Sequence, residues 1–212
     1  MRILITAGPT REAIDPVRYL TNKSSGRMGY ALALAAAEHG HHVTLISGPT
    51  SLDVPDGVDF VYVESADDMY EAVKTYSSYN DVAILCAAVA DYKPINVPDH
   101  KIKKTGETLT LELVRTKDIL GSMRDEFRFN GYLVGFAAET RNVEEYAREK
   151  LIRKKCDLIV ANDVSRPGIG FDSRDNEVIL VYPEFSEPLE KASKEEIART
   201  IIHQITRITQ PD

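Results

Sequence analysis

The chain reads as an α/β protein, with one mainly parallel sheet, helices on both faces and a small antiparallel extension. Three observations predict this. Strand-length apolar runs alternate with helix-length segments in strand–helix–strand order. Several of the strand runs are continuously apolar, as in strands covered on both faces. The first strand leads into a long loop of glycines, serines and cations that opens a helix, an arrangement by which α/β proteins hold phosphate groups.

Strands are predicted over Arg2–Thr6, His42–Ser47, Asp59–Val63, Val82–Ala87, Leu109–Val114, Tyr132–Ala137, Leu158–Ala161 and Val178–Tyr182. Helices are predicted over Gly29–His39, Ala66–Tyr79, Lys117–Phe127, Val143–Lys155 and Lys194–Thr209. Ser65 with Asp68, Asn142 with Glu145 and Ser193 with Glu196 have capping-box spacing at three helix starts. Gly40 suits the end of the first helix. The repeated strand–helix–strand order implies parallel pairing with right-handed crossovers. Leu109–Val114 alternates and suits an edge or antiparallel strand. An Asp172–Asn176 turn precedes the last strand, which predicts a terminal hairpin. No linker, repeat or low-complexity tract divides the chain, so residues 1–212 are expected to form a single domain.

Composition narrows the function. The 212 residues are 43% hydrophobic and 28% charged, the balance of an ordinary globular domain. A net charge of −7 argues against general nucleic-acid binding, while leaving small anionic substrates open. No apolar run is long enough to span a bilayer. The sequence starts directly on a strand without signal-peptide architecture, so a cytoplasmic location is expected. Cys86 and Cys156 lie in or beside apolar segments and are expected to stay reduced.

Four segments are richer than connection requires. In Asp15–Gly29, Ser24 and Ser25 offer hydroxyl donors, and Gly26 and Gly29 allow backbone to approach oxygen atoms closely; a surface Ω-loop is the plainer alternative. Cys86–Tyr92 ends a strand where open α/β sheets bind ligands. Its small residues leave room for a ring or sugar, and Asp91 suits a divalent metal, a ribose hydroxyl or a helix cap. Lys101–Glu107 is a basic loop with a glycine, equally a lid or a solvated charge run. Val134–Thr140, followed by 161–165 and 168–171, starts at strand ends on the same edge; for Asn162 and Asp163 turn chemistry is the simpler reading. Lys150 and Lys154 share one helix face and can reach one anion together. His39, His41 and His42 straddle a helix end and a strand start, which makes a metal cluster the poorer reading.

A nicotinamide-dependent oxidoreductase of the short-chain type is one alternative. Tyr146–Lys150 matches Tyr-x-x-x-Lys, but so does Tyr70–Lys74. There is no G-x-G-x-x-G, and the second strand ends Leu45–Pro49 without an acidic residue for a ribose. The pattern is a Rossmann-like sheet without the dinucleotide contacts. A non-catalytic nucleotide-binding module is the third alternative, and it leaves so many polar loops on one edge unexplained.

The blocks Thr6–Glu12, Asp15–Tyr19, Asn22–Gly29, Ala87–Tyr92, Lys101–Lys104, Gly135–Thr140 and Ala161–Val164, in this order, resemble the phosphopantothenate–cysteine ligases of coenzyme A biosynthesis. The resemblance implies a ligase that joins 4′-phosphopantothenate to L-cysteine through an acyl-nucleotide, with CTP as co-substrate, ATP as an alternative, and Mg²⁺ on the phosphates. It assigns Ser24, Ser25 and Gly26 to the triphosphate, Asn22 to the acyl-nucleotide, and Arg18 to phosphopantothenate. Lys101 becomes the lid lysine, catalytic alongside Asn22. Leu85, Cys86, Ala87, Asp91, Lys117, Asp118, Ile119, Leu120, Phe136, Lys150 and Lys154 become nucleotide contacts, with Asp91 also serving the metal. It further implies a homodimer, a separate phosphopantothenoylcysteine decarboxylase as partner unless this is the excised domain of a bifunctional protein, no flavin bound by this domain, and no nucleic-acid or membrane partner. Lys117-Asp118 stands where Pro-Asp is expected, Leu85 where glycine is common, and the lid after Lys104 is short.

Overall fold

A computed structural model describes residues 1–104, 106–163 and 175–210. Eight strands form the main sheet: β1 (Arg2–Ala7), β4 (His42–Ser47), β5 (Val58–Tyr62), β6 (Val82–Leu85), β9 (Tyr132–Glu139), β10 (Leu158–Asp163), β11 (Asp175–Val181) and β12 (Ser186–Ser193). Two antiparallel pairs stand apart from it: β2 (Arg11–Ala13) with β3 (Tyr19–Thr21), and β7 (Tyr92–Pro94) with β8 (Leu113–Arg115). The helices are α1 (Arg27–Glu38), α2 (Ala66–Ser77), α3 (Ile119–Asp125), α4 (Val143–Lys154) and α5 (Lys194–Thr209).

The sheet order is β12-β11-β10-β9-β6-β1-β4-β5. The six strands from β5 to β10 are parallel; β11 and β12 are the antiparallel extension. From β1 the chain moves outward through β4 to β5, then returns to lay β6 on the other side of β1. That reversal opens a crevice at the carboxyl ends of β1 and β6.

The continuously apolar strands have a simple cause. Ile3 and Ile5 of β1 face α1 and α5, where Leu32, Ala33, Ile201 and Ile202 are fully buried. Leu4 faces the opposite layer, with Met69 of α2, Met123 of α3 and Ala147 of α4. Successive strand residues point to opposite faces, so a strand with a core on each face is apolar at every position. Gly29 sets how closely α1 approaches: a Cβ there would stand 2.5 Å from the Ala7 Cβ. The helix therefore lies directly against β1, with its N-terminus at the crevice.

Some boundaries differ from expectation. The Leu109–Val114 strand shrinks to Leu113–Arg115 in a separate pair, because Leu109 and Leu113 are exposed and their alternation meets no core. The α3 helix starts two residues later than expected: Asp118 is its N-cap, accepting a hydrogen bond from the Gly121 N–H at 2.9 Å. Asn142 sits at φ 46°, and its amide donates to Glu145 at 3.0 Å instead of capping a backbone N–H. Ser65 and Ser193 form full capping boxes. Asn162 and Asp163 belong to β10, not to a turn. The 168–171 segment, Val164, Ser165 and the 172–174 part of the terminal turn lie outside the described residues. The strand pair β11–β12 that the turn joins is antiparallel, as a hairpin requires.

Candidate active site

Beyond the sheet, the ends of β1 and β6 remain stitched together. Thr6 Oγ1 accepts from the Ala87 N–H at 3.1 Å, and Thr10 Oγ1 from the Ala90 N–H at 3.0 Å. The Ala88 N–H donates to Gly8 O at 2.9 Å, and Pro9 and Ala88 form a parallel bridge. Asn22 Nδ2 donates to Ala88 O at 2.9 Å, which ties the polar loop to the same edge. Gly26, at φ 78°, caps α1 with no side chain over the helix end, and Ser24 Oγ accepts the Gly26 N–H at 3.3 Å. The first-turn N–H groups of α1 thus face the crevice with the positive end of the helix dipole.

Two cavities flank this edge. The larger, about 530 Å³, brings together Leu85, Ala87, Asp91, Lys117, Asp118, Ile119, Leu120, Phe136, Lys150 and Lys154. The smaller, about 140 Å³, is lined by Ser24, Ser25, Gly26 and Cys86. Ala87 and Phe136 line both, so the cavities share a wall at the switch point. Asn22, Arg18 and Lys101 line neither; Arg18 borders a third hollow of about 430 Å³ beside α2.

Asp15 links those outlying residues. Its carboxylate, 2% exposed, accepts from Arg18 Nη2 at 2.5 Å, from the Val17 and Arg18 N–H groups at 2.9 Å each, and from the Ile102 N–H at 3.0 Å. Arg18 Nη2 also donates to Ile102 O at 3.1 Å. The root of the basic loop is therefore pinned to the Arg18 turn, with Lys101 beside the pin. Arg18 holds the Asp15 carboxyl well below the usual carboxylate range, against the opposing effect of burial and with help from the three N–H donors. A depressed carboxyl stabilises the fold above its unfolded pKa near ~3.9, and that contribution is lost as pH falls through the folded value. Thermal unfolding from pH 7 to pH 3 is therefore expected to fall more steeply in the wild type than in Asp15→Asn. Parallel slopes would remove Asp15 as an acid-sensitive clamp.

The larger cavity is lined by cations with distinct partners. Lys150 Nζ donates to Phe136 O at 2.7 Å, and burial pulls its pKa below the ordinary lysine value. Lys154 pairs with Asp118. Burial pushes the Asp118 carboxyl up, but Lys154 and the Gly121 N–H outweigh it and leave the pKa lowered. Lys117 lies 4.3 Å from the Tyr70 ring centre and 3.2 Å from Glu71. Arg115 and Arg153 also line this cavity and were not expected there. Both cysteines are free, and burial pushes each thiol up to about 12. Neither is a thiolate nucleophile at neutral pH.

Sequence reasoning passed over Asp15, Asn176 and Lys194. Asp15 had a signal: Asp-Pro starts an Asx turn, and its Oδ1 does accept from the residues two and three ahead. Lys194 had another, since a lysine in the first turn of a helix opposes the macrodipole. Asn176 had none. Among the described residues no three His, Cys, Asp or Glu side chains gather as a metal site. His39 and His41 instead meet Ala35 O and Thr206 Oγ1. No described helix is long and apolar enough to cross a membrane.

Strand order, the crevice at the switch point and the glycine-capped helix define a Rossmann-like α/β domain. A family model described as the DNA/pantothenate metabolism flavoprotein C-terminal domain matches residues 1–208, and the chain belongs to that family. It is 51% identical over 205 residues to a coenzyme A biosynthesis bifunctional protein CoaBC of Vibrio vulnificus, covering 96% of this chain and 51% of that protein. The chain thus spans about half the length of the curated relatives it matches. A crystal structure of the C-terminal domain of a CoaBC protein superposes with a TM-score of 0.84 at 46% identity, covering 100% of this chain and 96% of that one. A Cab2 mutant in complex with phosphopantothenate-cysteine shares the fold, with a TM-score of 0.77 at 18% identity, covering 98% of this chain and 86% of that one.

Proposed function

We propose that this chain is a phosphopantothenate–cysteine ligase acting in coenzyme A biosynthesis. The observation that carries the reading is convergence. Nucleotide positions expected from five separate stretches of sequence line two cavities that share Ala87 and Phe136 at the sheet's switch point. The relatives' role in coenzyme A biosynthesis and the ligand named for the Cab2 complex agree with it.

In the first step a carboxylate oxygen of 4′-phosphopantothenate attacks the α-phosphorus of CTP, with ATP as the alternative. The bond to the β-phosphate oxygen breaks, and pyrophosphate leaves with the electron pair. In the second, the cysteine amine attacks the acyl carbon of the mixed anhydride. The acyl C–O bond breaks, CMP departs, and the amine proton passes to solvent. Both steps bring anions together, so the protein's part is donors and cations in fixed positions. Lys150 and Lys154 flank the base and ribose, with Phe136 as the wall. Ser24, Ser25 and the α1 N-terminus receive the triphosphate. Lys101 closes over the α-phosphate from the pinned loop, Asn22 orients the acyl-nucleotide, and Arg18 meets the phosphopantothenate phosphate. No protein nucleophile is required, which suits two thiols held protonated.

Mg²⁺ fits this site as a phosphate-bound ion. Mg²⁺ usually keeps several waters and takes one or two carboxylates besides phosphates. Asp91, exposed at the larger cavity, is the carboxylate placed for it, since Asp118 is engaged by Lys154. When bound, the ion supplies charge neutralisation on the triphosphate. A homodimer is supported by the exposed apolar side chains of the small sheets and their loops, among them Val17, Tyr19, Ile95, Val97 and Leu113. A phosphopantothenoylcysteine decarboxylase is read as the partner that takes the product, whether on another chain or on the same one, flavin as no part of this domain, and the cytoplasm as the site of action.

The test is pyrophosphate release by the purified chain with 4′-phosphopantothenate and Mg²⁺, using CTP or ATP, with and without L-cysteine. Cysteine-dependent turnover that yields phosphopantothenoylcysteine is expected. Folded protein that releases no pyrophosphate with either nucleotide would return the fold to the oxidoreductase reading.

A further inference from the structure

Two residues expected to serve different ligands meet at one buried carboxylate. Arg18, expected at phosphopantothenate, borders the hollow of about 430 Å³, and Lys101, expected at the nucleotide, lines none of the three cavities. Asp15 joins them. Its Oδ2 accepts from Arg18 Nε at 3.1 Å and Nη2 at 2.5 Å, and from the Ile102 N–H at 3.0 Å. Its Oδ1 serves the turn itself, through the Val17 and Arg18 N–H groups. Arg18 Nη2 also donates to Ile102 O at 3.1 Å, so Asp15, Arg18 and Ile102 close a ring of hydrogen bonds. Asp15 is buried while the Arg18 side chain stays 44% exposed. The guanidinium is thus gripped along its Nε–Nη2 edge and presents its other side to a ligand.

Docking of the basic loop on this ring is finely balanced. Two hydrogen bonds hold Ile102, each modest in water, against the freedom that a charged loop loses when it docks. The base of the loop is fixed independently: the Ile95 N–H donates to Glu112 O at 3.0 Å, and Thr116 Oγ1 to Ala90 O at 2.6 Å. Lys101, Lys103 and Lys104 lie within two residues of Ile102, so docking carries three cations to the Arg18 turn. A phosphate on the outer side of Arg18 gains their attraction when the loop is docked. A nucleotide gains Lys101 in the same arrangement. Two ligands that favour one arrangement strengthen each other, by the same factor whichever binds first.

We propose that Asp15 is a positioning residue that couples the two substrate sites, so that an organic phosphate at Arg18 tightens the hold of the basic loop on the nucleotide. This rests on the ligase reading, which supplies the two ligands. The carboxylate itself touches neither of them; it acts through Arg18 and Ile102. Lys101 then meets the α-phosphate chiefly when the attacking acid is also bound, which limits loss of the nucleotide to water.

The experiment is calorimetric titration of the intact chain with CTP and Mg²⁺, alone and with saturating 4′-phosphopanthenol. That probe keeps the phosphate but has an alcohol in place of the carboxylate, so no acyl-nucleotide forms. In the wild type it is expected to tighten CTP by ~5- to 150-fold, and CTP to tighten the probe equally. Panthenol, which lacks the phosphate, should leave CTP unchanged to about twofold. Asp15→Asn is nearly isosteric and keeps an acceptor for the turn, but sets an NH₂ against Arg18 and the Ile102 N–H. It should cut the coupling to less than about twofold while CTP and the probe each still bind. Ile102→Pro removes the N–H that reaches Asp15 and leaves the Asp15–Arg18 pair intact. It decides the matter if Asp15→Asn does not fold: the coupling should again vanish with the probe still bound. Coupling retained in either variant, absent from the wild type, or produced equally by panthenol would overturn the inference. So would folded Asp15→Asn that binds neither ligand, since Asp15 would then be a structural clamp and no more. Wild-type protein that binds neither CTP nor the probe would instead sink the ligase reading itself.

Discussion

Asn22→Ala is expected to lower kcat for pyrophosphate release by ~10²- to 10³-fold, the range for removing one positioned donor from a developing charge. Asn22 is exposed and follows β3 directly, with Nδ2 bonded to Ala88 O at 2.9 Å. That bond holds the amide just past the carboxyl end of β6. The acyl-nucleotide of the proposed reaction forms at this edge, so the amide is already oriented before substrate arrives. Loss of one exposed hydrogen bond costs about 0.5–1.5 kcal/mol of stability, and unfolding should shift by only a few degrees. The measurement pairs initial rates at saturating substrates with a melting curve. A kcat within threefold of wild type, in protein of normal stability, would take Asn22 out of the chemical step.

Gly48→Ala is expected to be the most damaging glycine-to-alanine change among the described residues. A Cβ at Gly48 would lie 1.9 Å from Pro9 O and 2.8 Å from Pro9 C, both backbone atoms. Neither side can move cheaply. The Gly48 N–H donates to Ala7 O at 3.0 Å, and Gly48 O accepts from the fully buried Ser47 hydroxyl at 2.8 Å. Pro9 is bridged to Ala88, so pushing it away disturbs the join between β1 and β6 on which both cavities depend. Overpacking of this kind costs about 3 kcal/mol or more, and the Tm should fall by ~6–12 °C. Gly40→Ala is the comparison. Its Cβ meets nothing within 4 Å, and at φ +77° it pays only the left-handed backbone strain of about 1–2 kcal/mol. If the two variants melt together, the close approach of the β4 loop to Pro9 does not matter for stability.

What could be read from the sequence followed from short-range physics. The continuous apolar runs marked strands with a core on each face. Ser65 and Ser193 marked helix starts, because a cap is satisfied within three residues. The loop from Asp15 to Gly29 stood out by its glycines and hydroxyls, and it does line the smaller cavity and bond to the end of β6. Short or polar strands escaped. β2, β3 and β7 have only three residues each, and β12 alternates too weakly to stand out from a loop.

Strand order, and with it the site, was decided only in three dimensions. Nothing local says that β6 pairs with β1 rather than with β5; that depends on which edge the α2 crossover returns to. The same choice puts Ala87 beside Phe136 and joins two cavities across their wall. Pinning Ile102 to Asp15, and bringing Lys194 to the cavity that Ser24 lines, join elements far apart in the chain. Residue types and local periods carry the helices, strands and chemical groups. Pairing between distant strands sets which of those groups meet, because it comes from burying both faces of one sheet at once.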